Sequence, residues 1–320
     1  MKRIGLLTSG GDAPGMNAAI RAVVRTAIYF GMEVYGIERG YAGLIDDTVI
    51  PLEMRSVSNI VQLGGTKLRT ARCKEMLTKE GQQKAAATLK KYGIEGLVVL
   101  GGDGSFRGAK ALTENFGIPT IGIPCTIDND LEYTDYTIGF DTAVNTCLDI
   151  INKLRDTMTS HERICVVEVM GRHCGDIALF SGIASGAEII VVPEIQSDMD
   201  EIVDRINRSR HNGKHSNIVI VAEGVTSAEQ FAKQLQEMTP YSVRPTCIGH
   251  VQRGGSPTMA DRMLAAQLGN KAVRLLKDGI GNRAVGIRDN KIIDMDIIEA
   301  VSMKKTFNRE LYDTLQMISM

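Results

Sequence analysis

Residues Gly96 to Lys110 read GLVVLGGDGSFRGAK, and the parsing of this stretch decides the class of fold. Its first part is an unbroken apolar run rich in valine and leucine. Such a run suits a strand buried on both faces. Glycines interrupt it, and "SFRGAKALTENF" then continues with helical spacing. A buried strand, a glycine turn and a helix in that order predict a parallel sheet covered by helices.

Working outward, the same alternation recurs. "RIGLLT" is strand-like, and "MNAAIRAVVRTAIYF" follows with Met16, Ile20, Val23, Val24 and Ala27 on one face. "PTIGI", "ICVVEVMG", "IIVVPE", "NIVIVAEG" and "RPTCIGH" are further strands, mostly separated by helical patterns. "FDTAVNTCLDIINKLRDTMTSH" predicts the longest helix, and the tail "VSMKKTFNRELYDTLQMISM" a closing one. The class is α/β. At 320 residues the chain exceeds the size at which a single core stops growing, so two lobes are expected.

The net charge of −1 comes from nearly balanced acids and bases, which argues against a nucleic-acid partner. No apolar stretch approaches the roughly 18 residues of a membrane span, and the apolar run at the amino terminus is too short for a signal peptide. Cys73, Cys125, Cys147, Cys165, Cys174 and Cys247 form no C-x-x-C pair and no disulfide or zinc ladder. A reduced, cytoplasmic setting without membrane contact is expected.

Several strands end in glycine-containing turns: "TSGGDAPG", "GGDGSFRG", "MGRHCGD" and "AEG". In open α/β sheets ligands bind outside the carboxyl ends of strands. Glycines there let backbone N–H groups approach a phosphate, and the next helix presents its positive end. A tight turn needing positive φ would explain one or two of the glycines around Asp103, but not all of them. No G-x-x-x-x-G-K-[ST] motif occurs. Gly102, Gly104 and Gly108 keep a nicotinamide dehydrogenase in view, but such a site wants one acid near the ribose. Here "TIDNDLE" gathers Asp128, Asp130 and Glu132 at the exit of a strand.

Two phosphate-grade turns suit a polyphosphate. Asp103 then suits Mg²⁺, which prefers one or two carboxylates plus phosphate oxygens and water; the alternative for Asp103 is a helix N-cap. Of Asp128 and Asp130, one would support the metal while the other takes the proton of an attacking hydroxyl, as phosphoryl transfer requires.

"LTSGGDAPGMNAAIR", "GGDGS", "TIDND", "TIGFDTA", "VEVMGRHCGD", "VAEG" and "GHVQRGGSP" resemble, in order and spacing, the bacterial ATP-dependent 6-phosphofructokinase family, from residue 3 to about 288. The resemblance implies two Rossmann-like lobes with mainly parallel sheets covered by helices and an active-site cleft between them. Residues 1–138 plus 257–304 would bind ATP, and 139–256 plus 305–320 fructose 6-phosphate. It implies Asp128 as the base, supported by Asp130, with Thr126 and Arg172 stabilising the transferring phosphoryl. Gly11, Arg72, Cys73, Gly102, Asp103, Gly104 and Ser105 match nucleotide positions, with Mg²⁺ at Asp103. Thr126, Ile127, Asp128, Arg163, Met170, Gly171, Arg172, Glu223, Arg244, His250, Val251, Gln252 and Arg253 match sugar-phosphate positions. Arg163 and Arg244 would reach in from a neighbouring subunit of a homotetramer. Arg21, Arg25, Arg155, Glu188 and Lys214 match an effector site for ADP or phosphoenolpyruvate in a glycolytic enzyme.

The sequence departs from that pattern in places. Cys125 stands where ATP-dependent members usually have glycine and pyrophosphate-dependent relatives lysine, so Cys125→Gly is expected to lower the ATP KM. Gly104 matches the ATP-dependent members, since those relatives place an acid there. Lys67 and Arg69 replace apolar or aromatic residues beside Arg72, either as extra phosphate ligands or as solvated charges. Asn212 replaces a common arginine, which is expected to mute effector feedback. A pyrophosphate-dependent enzyme and a non-catalytic sugar-phosphate sensor on the same scaffold remain the alternatives.

Overall fold

The computed structural model describes residues 1–319. Its strands are β1 (Arg3–Thr8), β2 (Glu33–Ile37), β3 (Val49–Leu52), β4 (Gly96–Gly101), β5 (Thr120–Pro124), β6 (Ile164–Val169), β7 (Ile189–Val191), β8 (Asn217–Ala222), β9 (Val243–Cys247), β10 (Arg283–Arg288) and β11 (Lys291–Asp296). Its helices are α1 (Met16–Tyr29), α2 (Tyr41–Ile45), α3 (Lys79–Lys91), α4 (Asp103–Phe116), α5 (Phe140–His161), α6 (Asp176–Ser185), α7 (Met199–His211), α8 (Ala228–Met238), α9 (Met259–Lys277), α10 (Ile297–Ser302) and α11 (Arg309–Ile318). The chain divides into two compact units. The first holds Met1–Ile127, Leu131–Thr142 and Arg253–Lys304; the second holds Asp128–Asp130, Ala143–Gln252 and the segment from Lys305 onward.

The divisions expected at 138/139 and 256/257 therefore fall at 142/143 and 252/253. The first turn of α5 belongs to the first unit because Asp261, on α9, caps it. Its carboxylate accepts from the backbone N–H groups of Gly139 (2.7 Å) and Thr142 (2.9 Å) and from the Thr142 hydroxyl. Those are N–H groups that a helix start otherwise leaves unsatisfied.

In the first unit the sheet order is β11-β10-β5-β4-β1-β2-β3. All neighbours are parallel except the two edge pairs, β2–β3 and β10–β11. The apolar run of β4 is central and every residue in it is buried, as continuous hydrophobicity requires. Phe106, on α4, closes over β5 where Gly122 has no side chain: a Cβ there would lie 2.7 Å from its ring. The register pairs Thr8 with Leu100 and Gly101 with Pro124, so β1, β4 and β5 end level. Strand order reverses between β1 and β4, the switch point where an open sheet leaves room for a ligand.

The second unit carries a parallel sheet in the order β7-β8-β6-β9. Its core includes Ile164, Val166, Val219, Val221 and Phe231. Val169 pairs with Ala222 and Glu168 with Cys247, so the turns beginning at Met170, Glu223 and Ile248 emerge side by side.

Four strands, β2, β3, β10 and β11, have no counterpart among the expected ones. β10 and β11 form a hairpin turning at Asp289 and Asn290, both with φ near 50–60°. That left-handed pair is the turn geometry hairpins favour. The expected closing helix shrinks to Arg309–Ile318, because residues 303–308 are not helical. Among the described residues no helix is long and apolar enough to cross a membrane.

Candidate active site

In the first unit, the helices that start at the level ends of β1 and β4 lack a capping side chain. α3, α7, α8, α9, α10 and α11 are capped by the side chains of Thr78, Asp198, Ser227, Thr258, Asp296 and Asn308. α1, α2, α4 and α6 begin instead at Gly15, Gly40, Gly102 and Gly175, with no capping side chain, and of these α1 and α4 follow β1 and β4. No side chain caps the positive dipole ends of α1 and α4, which suit an anion.

The glycines of "GGDGSFRG" separate by purpose. None has positive φ, so the tight-turn explanation fails. Gly101 and Gly108 are packing glycines: a Cβ would fall 2.3 Å from the Ser105 hydroxyl oxygen and 2.6 Å from the Tyr41 ring. At Gly104 a Cβ would meet nothing within 4 Å, and at Gly102 only ordinary contact with Thr126. Neither packing nor backbone conformation demands glycine at these two positions. They leave the main chain bare. Asp103 lies between them as the first helical residue, so it is not the N-cap. Its Oδ2 accepts from Arg107 Nε at 2.8 Å. Among the described residues no group of three or more His, Cys, Asp or Glu is gathered to hold a metal ion. A single carboxylate beside bare backbone fits Mg²⁺ that arrives with phosphate oxygens and water.

The loop from Gly64 to Cys73 is tied to this edge. Asn17, buried within the apolar stripe of α1, donates to the carbonyls of Leu63 and Gly64 and accepts from Lys67 N–H. Thr8 donates to the Arg69 carbonyl. The side chains of Lys67, Arg69 and Arg72 are exposed, and Cys73 is half-buried against the core. Arg253 donates to the Asp12 carbonyl at 3.1 Å and lies over Gly11. It therefore packs on the Gly11 turn of the first unit.

Cys125 corrects an expectation. It is 1% exposed, its N–H donates to the Gly101 carbonyl, and burial pushes its thiol well above the ordinary range. A neutral thiol packed inward does not stand beside a phosphate path. Cys125→Gly is now expected to leave the ATP KM within about twofold and to cost about 2 kcal/mol of stability. Thermal melting and an ATP titration check both, and a fivefold fall in KM would restore the earlier view.

In the second unit Asp128 is 2% exposed, and its Oδ2 lies 3.4 Å from Arg172 Nε. Arg172 is left-handed (φ 53°), and its side chain remains 59% exposed. Glu223 fixes that conformation, with Oε1 accepting from the N–H groups of Gly171 (3.3 Å) and Arg172 (3.0 Å). Gln252 ties the same turn inward, accepting from Met170 N–H and donating to the Gly249 carbonyl. Gln252 and Ile127 have no exposed surface. Thr126 and Asp130 are half-buried, Ser105 and Met170 buried, and His250 and Val251 exposed.

Arg163 and Arg244 are not brought to this turn. Arg163 immediately precedes β6, and Arg244 pairs with Cys165 near the same end. Met170 follows the other end of β6, a strand length of roughly 20 Å away. Arg155, Glu188 and Lys214 do meet. Buried Glu188 pairs with Lys214 and, at 3.5 Å, with Arg155, and it accepts from Ile218 N–H. Arg155 also donates to the carbonyls of Ser185 and Gly186 at the carboxyl end of α6, where a cation is favoured. Arg21 and Arg25 are half-buried on α1 of the first unit.

Sequence reasoning missed Asn17, Asp176, Asp261 and Lys305. For Asn17 the signal was a polar residue inside an apolar stripe; for the rest, partners distant in sequence left none.

Residues 3–276 match the family model described as Phosphofructokinase. The chain is 58% identical over 320 residues to the ATP-dependent 6-phosphofructokinase of Thermoanaerobacter sp. strain X514, with all of both chains covered. It is 57% identical over 319 residues to that of Clostridioides difficile strain 630, again with 100% of each covered. The solved phosphofructokinase from Saccharomyces cerevisiae superposes with a TM-score of 0.91 at 35% identity, over 98% of this chain and 50% of that one.

Proposed function

Because this chain belongs to the phosphofructokinase family, we propose that it transfers the γ-phosphoryl of ATP to the 1-hydroxyl of D-fructose 6-phosphate. The products are ADP and fructose 1,6-bisphosphate, in the committed step of glycolysis. It is a phosphotransferase. One observation carries the reading: the buried carboxylate of Asp128 is paired with a permanently charged Arg172, which is clamped in a strained backbone conformation.

Asp128 takes the proton of the 1-hydroxyl as that oxygen forms its bond to the γ-phosphorus. The bond from phosphorus to the β–γ bridging oxygen breaks, and its electron pair leaves with ADP. Such transfers need positioning and charge neutralisation more than covalent chemistry. Arg172 suits that role, since its planar fork matches phosphoryl oxygens. The bare backbone at Gly102 and Gly104, the start of α4 and the Gly11 turn with Arg253 hold the nucleotide phosphates. Asp103 would hold Mg²⁺, which when bound neutralises phosphate charge. Open space at Gly104 supports ATP as donor.

The sugar 6-phosphate would meet Arg163 and Arg244 of a neighbouring subunit in a homotetramer. Support comes from their place at the strand ends remote from Met170. Arg155, Glu188 and Lys214, with Arg21 and Arg25, would form the ADP and phosphoenolpyruvate site. Asn212 weakens feedback there by removing a charge. Six free thiols support a cytoplasmic setting.

The test is a coupled assay of fructose 6-phosphate phosphorylation with ATP or pyrophosphate as donor. Turnover with ATP alone is the expected result. Turnover with pyrophosphate would replace the donor, and none with either would point to a sugar-phosphate sensor.

A further inference from the structure

Between Asp128 and Asp130 the chain passes through Asn129, a buried residue in the left-handed region (φ 52°). Asparagine tolerates that conformation better than most residues, but it still needs surroundings that hold it. Its Nδ2 donates to Asp176 Oδ2 at 2.9 Å. The same Oδ2 receives Lys305 Nζ at 3.1 Å, and both charged side chains are largely buried. Asp176 opens α6, and Lys305 comes from the carboxyl-terminal segment, which belongs to the second unit. Glu194 steadies the entry to that helix by accepting from Gly175 N–H at 2.8 Å.

We propose that Asp176, held by Lys305, is a positioning residue for the phosphoryl transfer: through Asn129 it fixes the backbone turn that aims Asp128. Neither Asp176 nor Lys305 touches the reacting atoms, and the proposal rests on the reading of Asp128 as the base. The structural reason is economical. A buried carboxylate needs a cation, and once paired its remaining acceptor capacity holds the Asn129 side chain. Lys305 thus ties the tail of the chain to the aim of its base.

The first test is Asn129→Gly, which keeps positive φ accessible but removes the tether. Loss of kcat by about 10²-fold, with both KM values within about threefold, is expected, because a displacement near 1 Å suffices for such a loss. A wild-type kcat overturns the proposal, since backbone conformation alone would then be enough. The second test compares two charge-free replacements, so that neither leaves an unpaired buried ion. Asp176→Leu/Lys305→Met removes the acceptor, whereas Asp176→Asn/Lys305→Met retains one. The first should turn over at least about tenfold more slowly than the second at similar thermal stability. Equal kcat values, or a loss confined to KM, overturn the proposal. A wild-type protein inactive on fructose 6-phosphate would instead remove the reading beneath it, and is distinguishable because the variants are then irrelevant.

Discussion

Replacing Asp128 by asparagine is expected to lower kcat for fructose 6-phosphate phosphorylation by about 10²- to 10⁴-fold, the usual worth of a positioned general base. The substitution keeps shape and volume in a site that is 2% exposed, so packing is retained. The amide cannot take the hydroxyl proton, and its interaction with Arg172, now 3.4 Å from the carboxylate, loses the ionic component. Both substrates should still bind, so KM values change much less than kcat. Single-turnover kinetics with isotope-labelled ATP checks this. A kcat within tenfold of wild type assigns the proton to another group, with Asp130 the first to examine.

Gly224→Ala is expected to damage the same site from the opposite side. A Cβ at this position would lie 1.7 Å from the Arg172 carbonyl oxygen and 2.9 Å from its carbonyl carbon. Both are backbone atoms, so no rotamer change relieves the clash. The turn at 171–174 must move away from the turn after β8, pulling against the two N–H bonds to Glu223. Overpacking of this kind costs about 1–3 kcal/mol. A shift of about 1 Å in Arg172 lowers kcat/KM by about 10²-fold. Steady-state kinetics and thermal melting measure the two effects. Unchanged kinetics would mean that the Arg172 backbone is free to relax.

Much of this was legible in the sequence because it is local. The apolar runs of β1, β4, β6 and β8 and the stripe of α1 follow from periodicity within a window of residues. The glycines after β4 were legible as a site, but which were bare and which packed was not. Gly101 and Gly102 look alike in one dimension; only the Ser105 hydroxyl and the Thr126 side chain tell them apart. The pairing of β2 and β3 depends on neighbours rather than on their own pattern. Cys125 was misread for the same reason, since sequence position gave its place on a strand end but not the direction of its thiol. The Asp176–Lys305 pair joins residues far apart in the chain, and no spacing rule reaches that far.

The split composition of the first unit has a consequence for the birth of the molecule on the ribosome. The four strands of the second sheet all lie between residues 164 and 247, so that sheet is complete as soon as this span has emerged. The first sheet is finished only when β10 and β11 arrive, since β5 ends at Pro124 and its neighbour begins at Arg283. Until then β5 has a bare edge, the kind of surface that recruits other strands. Synthesis runs at about 5–20 residues per second, so that edge waits for seconds or longer. The sheet that starts later in the chain is the earlier one to close, and a nascent chain stalled before residue 283 should carry a paired second sheet and an adhesive first one.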